Sequence, residues 1–333
     1  MLLALAAVAV SLVAPPPAEA PVERVAFGSC IQESRPVPAF DAIRDYDPDT
    51  LVLLGDNVYG DTADVNEMAE HYEALGRIPG FQALRDSARL LYVWDDHDYG
   101  QNDAGSEWPH KAEMKRAMLD FFGEPADSER RTRPGNYGSV TLGPVGQRVQ
   151  FILLDTRWFR SALKRDPDAP KRTYLPDDSD EATVLGEDQW DWLENELKKP
   201  ADVRVICTSI QVLAYEHRFE KWGNFPKERQ RLLDLLEPLP DAMVISGDRH
   251  SGEISLFDYP DGRVLAEVTS SALNQTRKDP TGDVNPYREG TLVLDANFGT
   301  IDFDWQQRVA YLSLRSADGR VLNRVAMKMA APE

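Results

Sequence analysis

From Pro21 onward the chain alternates between short continuous apolar runs and stretches in which apolar residues recur every three or four positions. The runs RVAFGSC, TLVLLGD, RLLYVWDDHD, VQFILLDTR, VRVICTSIQ and AMVISGD are rich in branched side chains, the pattern of strands buried on both faces. Between them, DVNEMAEHYEALGRI, HKAEMKRAMLDFFG, GEDQWDWLENELKKP and PKERQRLLDLLEPL have helical spacing, so their aromatic and Met positions read as core faces. Later, EISLFDYPDGRVLAEVTSS and VAYLSLRSADGRVLNRVAMKM each place Asp-Gly between two strand-like runs, which predicts hairpins. With no repeat, low-complexity tract or long linker, the pattern predicts one layered α/β (α+β) domain over residues 21–333, two packed β-sheets flanked by helices. The polar stretch from Arg160 to Glu187 is expected to be a long surface loop.

Composition narrows the function. With 333 residues, 42% of them hydrophobic, the chain can bury a sizeable core, which excludes disorder. A formal charge of -19 and the lack of any Lys/Arg cluster argue against nucleic-acid and anionic-membrane partners. A small phosphate ester stays admissible, because bound cations reverse the local potential whatever the overall charge.

The apolar run from Leu2 to Ala14, followed by prolines and Ala18-Glu19-Ala20, has the pattern of a signal peptide over residues 1–20, cleaved after Ala20. The run is too short to span about 30 Å of hydrocarbon, so export to the periplasm or medium is expected, without a stable membrane anchor. An oxidising compartment would permit pairing of the two cysteines, Cys30 and Cys207, but Cys207 lies in a buried-strand pattern and reads as a small apolar core residue.

Five clusters share one arrangement, an apolar strand running into groups able to bind an ion: Phe27 to Cys30, Leu54 to Asp61, Trp94 to Asp103, Leu153 to Arg160, and Ser246 to Glu253. One such carboxylate is usually a cap, a turn or a solvated charge. Asp56, Asp96 and Asp248 converging at strand ends would repel one another strongly, and metal ions would remove that penalty. Glycine before Asp56 and Asp248 allows the sharp turn that would aim both into one crevice. Of the five histidines, His97 and His250 fall inside these clusters; His71 lies in a helical pattern, and His110 and His217 have polar, surface-like settings.

In this order GSC, GDNVYGD, WDDHDYG, LDTRWFR, TSIQVL and SGDRHSGE resemble the alkaline phosphatase D (PhoD-like) family of the calcineurin-like metallophosphoesterases. The likeness extends through LGEDQWDWLENEL and WGNFPKERQRLLDLL over almost all of the chain after the leader. The wider superfamily uses Asp-x-His, GD, GNH, a lone His and GHxH, where this chain has Gly28-Ser29-Cys30, Gly55-Asp56, Asp95-Asp96-His97, Gln211 and Gly247-Asp248-Arg249-His250. The resemblance implies hydrolysis of phosphate esters, of the alkaline phosphatase or phosphodiesterase type, by a metal-activated water. It also implies trivalent iron held partly by Tyr and Cys, with calcium beside it.

The metal ligands expected on this basis are Cys30, Asp56, Tyr59, Asp96, Asp248 and His250. A phenolate and a thiolate suit a transition metal, whereas the carboxylates supply the hard oxygen that calcium prefers. Zinc, which would need more imidazole, is less favoured, as are magnesium and manganese. Asp56, with two oxygens, is the expected bridge, His97 the acid for the leaving oxygen, and Arg157 the phosphate clamp with Arg160 as its fallback. Asp95 and Asp98 are expected to brace these groups, and Asn102 and Asp103 to be site residues or a turn. Two rival readings are a covalent serine or cysteine hydrolase, for which no G-x-S-x-G elbow is present, and a non-catalytic phosphate- or calcium-binding module. Turnover of generic esters by the metal-loaded protein separates the last from an enzyme.

Overall fold

The computed structural model describes residues 20–239, 241–279 and 283–331, so the expected leader lies outside it except for Ala20. The strands are β1 (Arg24–Gly28), β2 (Thr50–Leu54), β3 (Arg89–Val93), β4 (Gly138–Leu142), β5 (Val149–Leu153), β6 (Val203–Cys207) and β7 (Ala242–Ser246), followed by β8 (Gly252–Asp258), β9 (Val264–Ser270), β10 (Arg288–Val293), β11 (Asn297–Asp304), β12 (Val309–Ser316) and β13 (Val321–Lys328). The helices are α1 (Ala39–Tyr46), α2 (Val65–Gly76), α3 (Pro79–Ser87), α4 (Asp96–Tyr99), α5 (Lys111–Phe121), α6 (Glu129–Thr132), α7 (Gly186–Leu197) and α8 (Pro226–Leu236). Local chemistry explains their starts: the Asp64 side chain accepts from the Asn66 amide at the head of α2, and Pro226 opens α8, where a missing N–H costs nothing.

Two mixed sheets form, in the orders β13-β12-β11-β1-β2-β3 and β10-β8-β9-β7-β6-β5-β4. Strands β1, β2 and β3 run parallel, as do β5, β6, β7 and β9. Both Asp-Gly segments form the expected antiparallel hairpins, β8 with β9 and β12 with β13.

Alternation along each strand divides the side chains between two interfaces. Val52 and Leu54 of β2 join Phe151 and Leu153 of β5 in the core between the sheets, while Leu51 and Leu53 lie under Phe40, Met68 and Phe81 of the flanking helices. On the far side, Ile152, Ile206 and Val244 pack against Trp190, Leu193 and Leu232 of α7 and α8. The expected architecture of two packed sheets between helical layers is therefore the observed one. Residues 160–187 run largely as loop, with an isolated bridge between Arg165 and Tyr174.

Strands β4, β10 and β11 and the short helices α1 and α3 were not legible as apolar runs. β4 and β10 carry several exposed or half-exposed positions, and β11 sits inside its sheet with polar Asn297 and Thr300 buried.

Phe151 is fully buried between the sheets, whereas Val321 on β13 is 44% exposed. Phe151→Ala is expected to cost about 3–5 kcal/mol in a denaturant melt, the usual price of truncating a core aromatic, and Val321→Ala under about 0.5 kcal/mol. Equal effects would contradict this placing of the core.

Candidate active site

The chemistry-bearing loops leave the carboxyl ends of the parallel strands, where α/β sheets present their crevice. Cys30 follows β1, Asp56 follows β2, Asp96 follows β3, Gln211 follows β6 and Asp248 follows β7. Gly55 turns with φ +95°, and a Cβ there would meet the Asp95 amide nitrogen at 2.7 Å, so only glycine fits. Gly247 serves differently from expectation: it is needed for close approach, since a Cβ would lie 2.6 Å from Ser29 Oγ. Cys30, Asp56, Asp61, Asp103, Asp248 and His250 all have positive φ, a concentration of backbone strain of the kind that functional sites retain.

These turns bring all six residues expected to bind metal into one cluster. One donor atom from each of Cys30, Asp56 and His250 lies within 4.8 Å of the others, and the same holds for Asp56, Asp95, Asp96 and Asp248. Cys30 Sγ is 3.4 Å and Tyr59 Oη 3.3 Å from Asp56 Oδ2, and Tyr59 Oη is 2.9 Å from His250 Nε2. Ser271 fixes the rim: its Oγ accepts from the His250 amide at 2.9 Å and lies 3.1 Å from Cys30 Sγ.

Without a cation this assembly is electrostatically frustrated. Burial first, and then the charges beside them, push Asp56 and Asp248 well above the usual carboxylate range. Burial pushes Cys30 up to about 11, and Tyr59 is raised well above its ordinary value by burial and then by Cys30. Although burial opposes it, Asp96 and Asp56 raise His97 to about 11. Asp96 Oδ1 is buried with no hydrogen-bond partner. Thiol, phenol, imidazole and carboxylate donors set this close fit bound cations, which would ionise them and satisfy the orphaned oxygen.

The supporting residues divide less simply. His97 Nδ1 is 2.7 Å from Asp61 Oδ2, a partner absent from the sequence-level assignment although Asp61 ends the quoted GDNVYGD. Asp98 braces the turn, accepting from the Asp95 amide at 2.6 Å and Asn57 Nδ2 at 2.5 Å. Asp95 lies among the clustered carboxylates and accepts from Ser209 Oγ at 2.6 Å. Gln211 donates to Glu253 and Thr269 at 2.7 and 2.8 Å.

The expected phosphate clamp requires correction. Arg157 is fully buried, donating through Nε to Asp95 and through Nη1 to Glu220, each at 2.6 Å, so its fork is spent on buried carboxylates. Arg160 is no substitute, being equally buried, with Nε 2.8 Å from Glu220. His217 is buried, not surface-like, and Cys30 and Cys207 are both free thiols, Cys207 in the core between the sheets. His71 sits on α2 with Nδ1 2.5 Å from Glu33, and His110 precedes α5.

A cleft of about 220 Å³ is lined by Asp96, His97, Asp248 and His250 of the cluster together with Arg172, Arg249 and Arg277. Asn102 and Asp103 also line it.

A family model described as PhoD-like phosphatase matches residues 25–322. The chain belongs to the PhoD-like phosphatase family. It is accordingly a metal-dependent phosphoric ester hydrolase. Among solved structures it is similar to that of PhoD, at 17% identity and TM-score 0.72, covering 96% of this chain and 70% of that one. It is also similar to GAP50, the anchor in the inner membrane complex of Plasmodium, at 16% identity and TM-score 0.63 over 94% and 90% of the two chains. A third is a dimetal phosphatase from Danio rerio, at 13% identity and TM-score 0.59 over 93% and 100%. At these identities the structural likenesses speak for the fold alone. No curated protein matched in sequence.

Within this PhoD-like site the arginines of the cleft were missed. Arg249 stands inside the quoted SGDRHSGE, so a signal existed; Arg277 and Arg172 reach the cleft only through the tertiary fold.

Gly55 holds the turn that presents Asp56. Gly55→Ala is expected to cost about 1–3 kcal/mol of stability through overpacking and strain, seen as an earlier denaturant midpoint, together with reduced metal content. A wild-type melt with full metal content would show that the strand end does not depend on this contact.

Proposed function

We propose that this phosphatase works with iron bound by Cys30, Tyr59, Asp56 and His250 and calcium bound by Asp56, Asp96 and Asp248, on small phosphate esters, after export. The observation that carries this reading is the convergence of a thiol, a phenol and an imidazole on one edge of a carboxylate cluster. Soft and phenolic donors favour a transition metal, and the all-oxygen remainder favours a hard cation. Bound there, the cations would supply Lewis acidity, acidifying a water for in-line attack and stabilising charge on the phosphoryl oxygens.

The remaining work falls to the chain's own side chains. Asp56 shares its two oxygens between both halves of the cluster. His97, with Nδ1 held by Asp61, offers Nε2 as the proton source for the departing oxygen. Arg157 and Arg160 together offset the charges of Asp95 and Glu220, keeping them out of competition with the cations. Export is supported by the leader pattern at residues 1–20, and no helix among the described residues is long and apolar enough to cross a membrane.

A non-catalytic module would keep the same ligands. Fold likeness does not separate the two, since GAP50 is described as an anchor. The paired His97 and Asp61 beside an open cleft favour catalysis, and turnover of p-nitrophenyl phosphate and bis-p-nitrophenyl phosphate by the metal-loaded protein is the deciding assay.

The metal assignment has its own readout. Purified without chelator, the protein should contain iron and calcium and show a visible charge-transfer band from the Tyr59 phenolate. Chelation should lower activity and added calcium restore it. A colourless, zinc-only protein, or full activity in excess chelator, would contradict it.

For His97→Ala, metal content should stay near wild type while turnover falls roughly 10²- to 10⁴-fold, the range of general acid–base assistance. The defect should shrink as the phenol leaving group becomes more acidic, because a stable anion needs less protonation. Metal loss in proportion to activity, or one defect for every leaving group, would make His97 a ligand instead.

A further inference from the structure

The cleft is also lined by three arginines, Arg172, Arg249 and Arg277, that the proposed hydrolysis itself does not use. Arg249 and Arg277 both turn to one carboxylate: Arg249 Nη2 lies 2.8 Å from Asp283 Oδ1, and Arg277 pairs with Asp283 Oδ2. Asp283 thus serves two guanidinium groups, and the other carboxylates close to Arg249 are Asp248, one of the proposed metal ligands, and Glu253. Phe219 holds Arg249 in place, its ring 4.5 Å from the guanidinium carbon. Arg172 also lines the cleft, where it bonds Asn102, lies 3.7 Å from Asp103 Oδ2 and leaves more than half of its side chain in solvent.

Glu220 also lines the cleft, but its carboxylate is already paired with Arg157 and Arg160, and Lys221 adds a cation close to Arg249. Lys221 is buried, its ammonium donating to the Phe219 carbonyl at 2.9 Å. His217 is 4% exposed, and neither of its ring nitrogens has a hydrogen-bond partner. Burial, and then Arg249, hold its imidazole well below the usual range, so it adds no further positive charge. Arg277 Nε is likewise buried and unpartnered. A buried guanidinium donor left without a partner, in a cleft lined by three arginines, is a group that an anionic ligand can use.

Resting on the phosphatase reading above, we propose that Arg172, Arg249 and Arg277 form a subsite for a second anionic group, so that the substrates are phosphate esters whose alcohol or phenol part carries its own negative charge. The cleft has a volume of about 220 Å³, and on the phosphatase reading the scissile phosphate would be held by the cations bound at Asp56, Asp96 and Asp248, which leaves the arginines for another group. Hydrolysis forms one P–O bond from water and breaks the ester P–O bond, and the leaving oxygen takes a proton. The second anion changes no bond; it orients the leaving group, and its recognition belongs in KM more than in kcat.

The test uses two aryl phosphates matched in leaving-group acidity, one neutral and one bearing a carboxylate on the ring, with the metal-loaded wild type, Arg277→Gln and the solvent-exposed Arg172→Gln. The wild type should prefer the carboxylated ester, and each variant should lose about tenfold of that preference in kcat/KM, the worth of one charge-assisted hydrogen bond. Calorimetric binding of the matching, non-hydrolysable aryl phosphonates should lose the same preference. Arg172→Gln guards against a variant that fails to fold. An unchanged preference in both variants overturns the subsite, and so does an equal loss for both substrates, which would make the arginines clamps for the scissile phosphate. If the wild type hydrolyses neither ester, the phosphatase reading fails, and the phosphonate binding still decides the subsite.

Discussion

The structure turns on the enforced proximity of carboxylates at the ends of parallel strands. Asp56, Asp95, Asp96 and Asp248 bring donor atoms within 4.8 Å of one another, in surroundings that exclude most of the water able to screen them. The protein compensates part of this charge itself, with Arg157 set between Asp95 and Glu220 and Arg160 beside Glu220. Asp56, Asp96 and Asp248 have no arginine ion pair among the described residues and, on the proposed function, would be neutralised by bound cations. That partition explains why a fully buried arginine fork lies next to a hydrolytic cleft without entering it.

Holding the cluster together costs backbone strain, and the layered fold bears it. Six site residues sit at positive φ on loops anchored by strands whose inner and outer faces are both buried. The loop after β1 is fastened to the loop after β9 through Cys30 and Ser271, and the loop after β2 to α4 through Asn57 and Asp98. Packing on both faces of each sheet keeps these loops from relaxing apart, which ties fold stability to ligand geometry.

Much of this was legible in the sequence because strand and site share one signal. A continuous apolar run that ends in Gly-Asp states both where a strand stops and which carboxylate it delivers, so Asp56 and Asp248 could be placed before the fold was known. Their grouping with Cys30, Tyr59, Asp96 and His250 was implied by the family resemblance, and the parallel topology is what brings these residues together. Arg157 was misread because LDTRWFR looks the same whether the guanidinium faces substrate or a buried carboxylate such as Glu220, which stands 63 residues away. His217 failed for a related reason: its polar neighbours in sequence face elsewhere while the ring is buried beside Phe219. Strand β11 escaped because its burial comes from its place between β12 and β1, not from an apolar run.

The central claim is that this carboxylate cluster and its thiol, phenol and imidazole neighbours hold the catalytic cations. Anomalous X-ray diffraction at the iron edge, on crystals grown without chelator, tests it most directly. The expected result is an iron peak bounded by Cys30, Asp56, Tyr59 and His250, with a lighter cation beside it against Asp96 and Asp248. An ordered cluster with no anomalous peak among these residues, or an iron peak elsewhere in the molecule, would contradict the account.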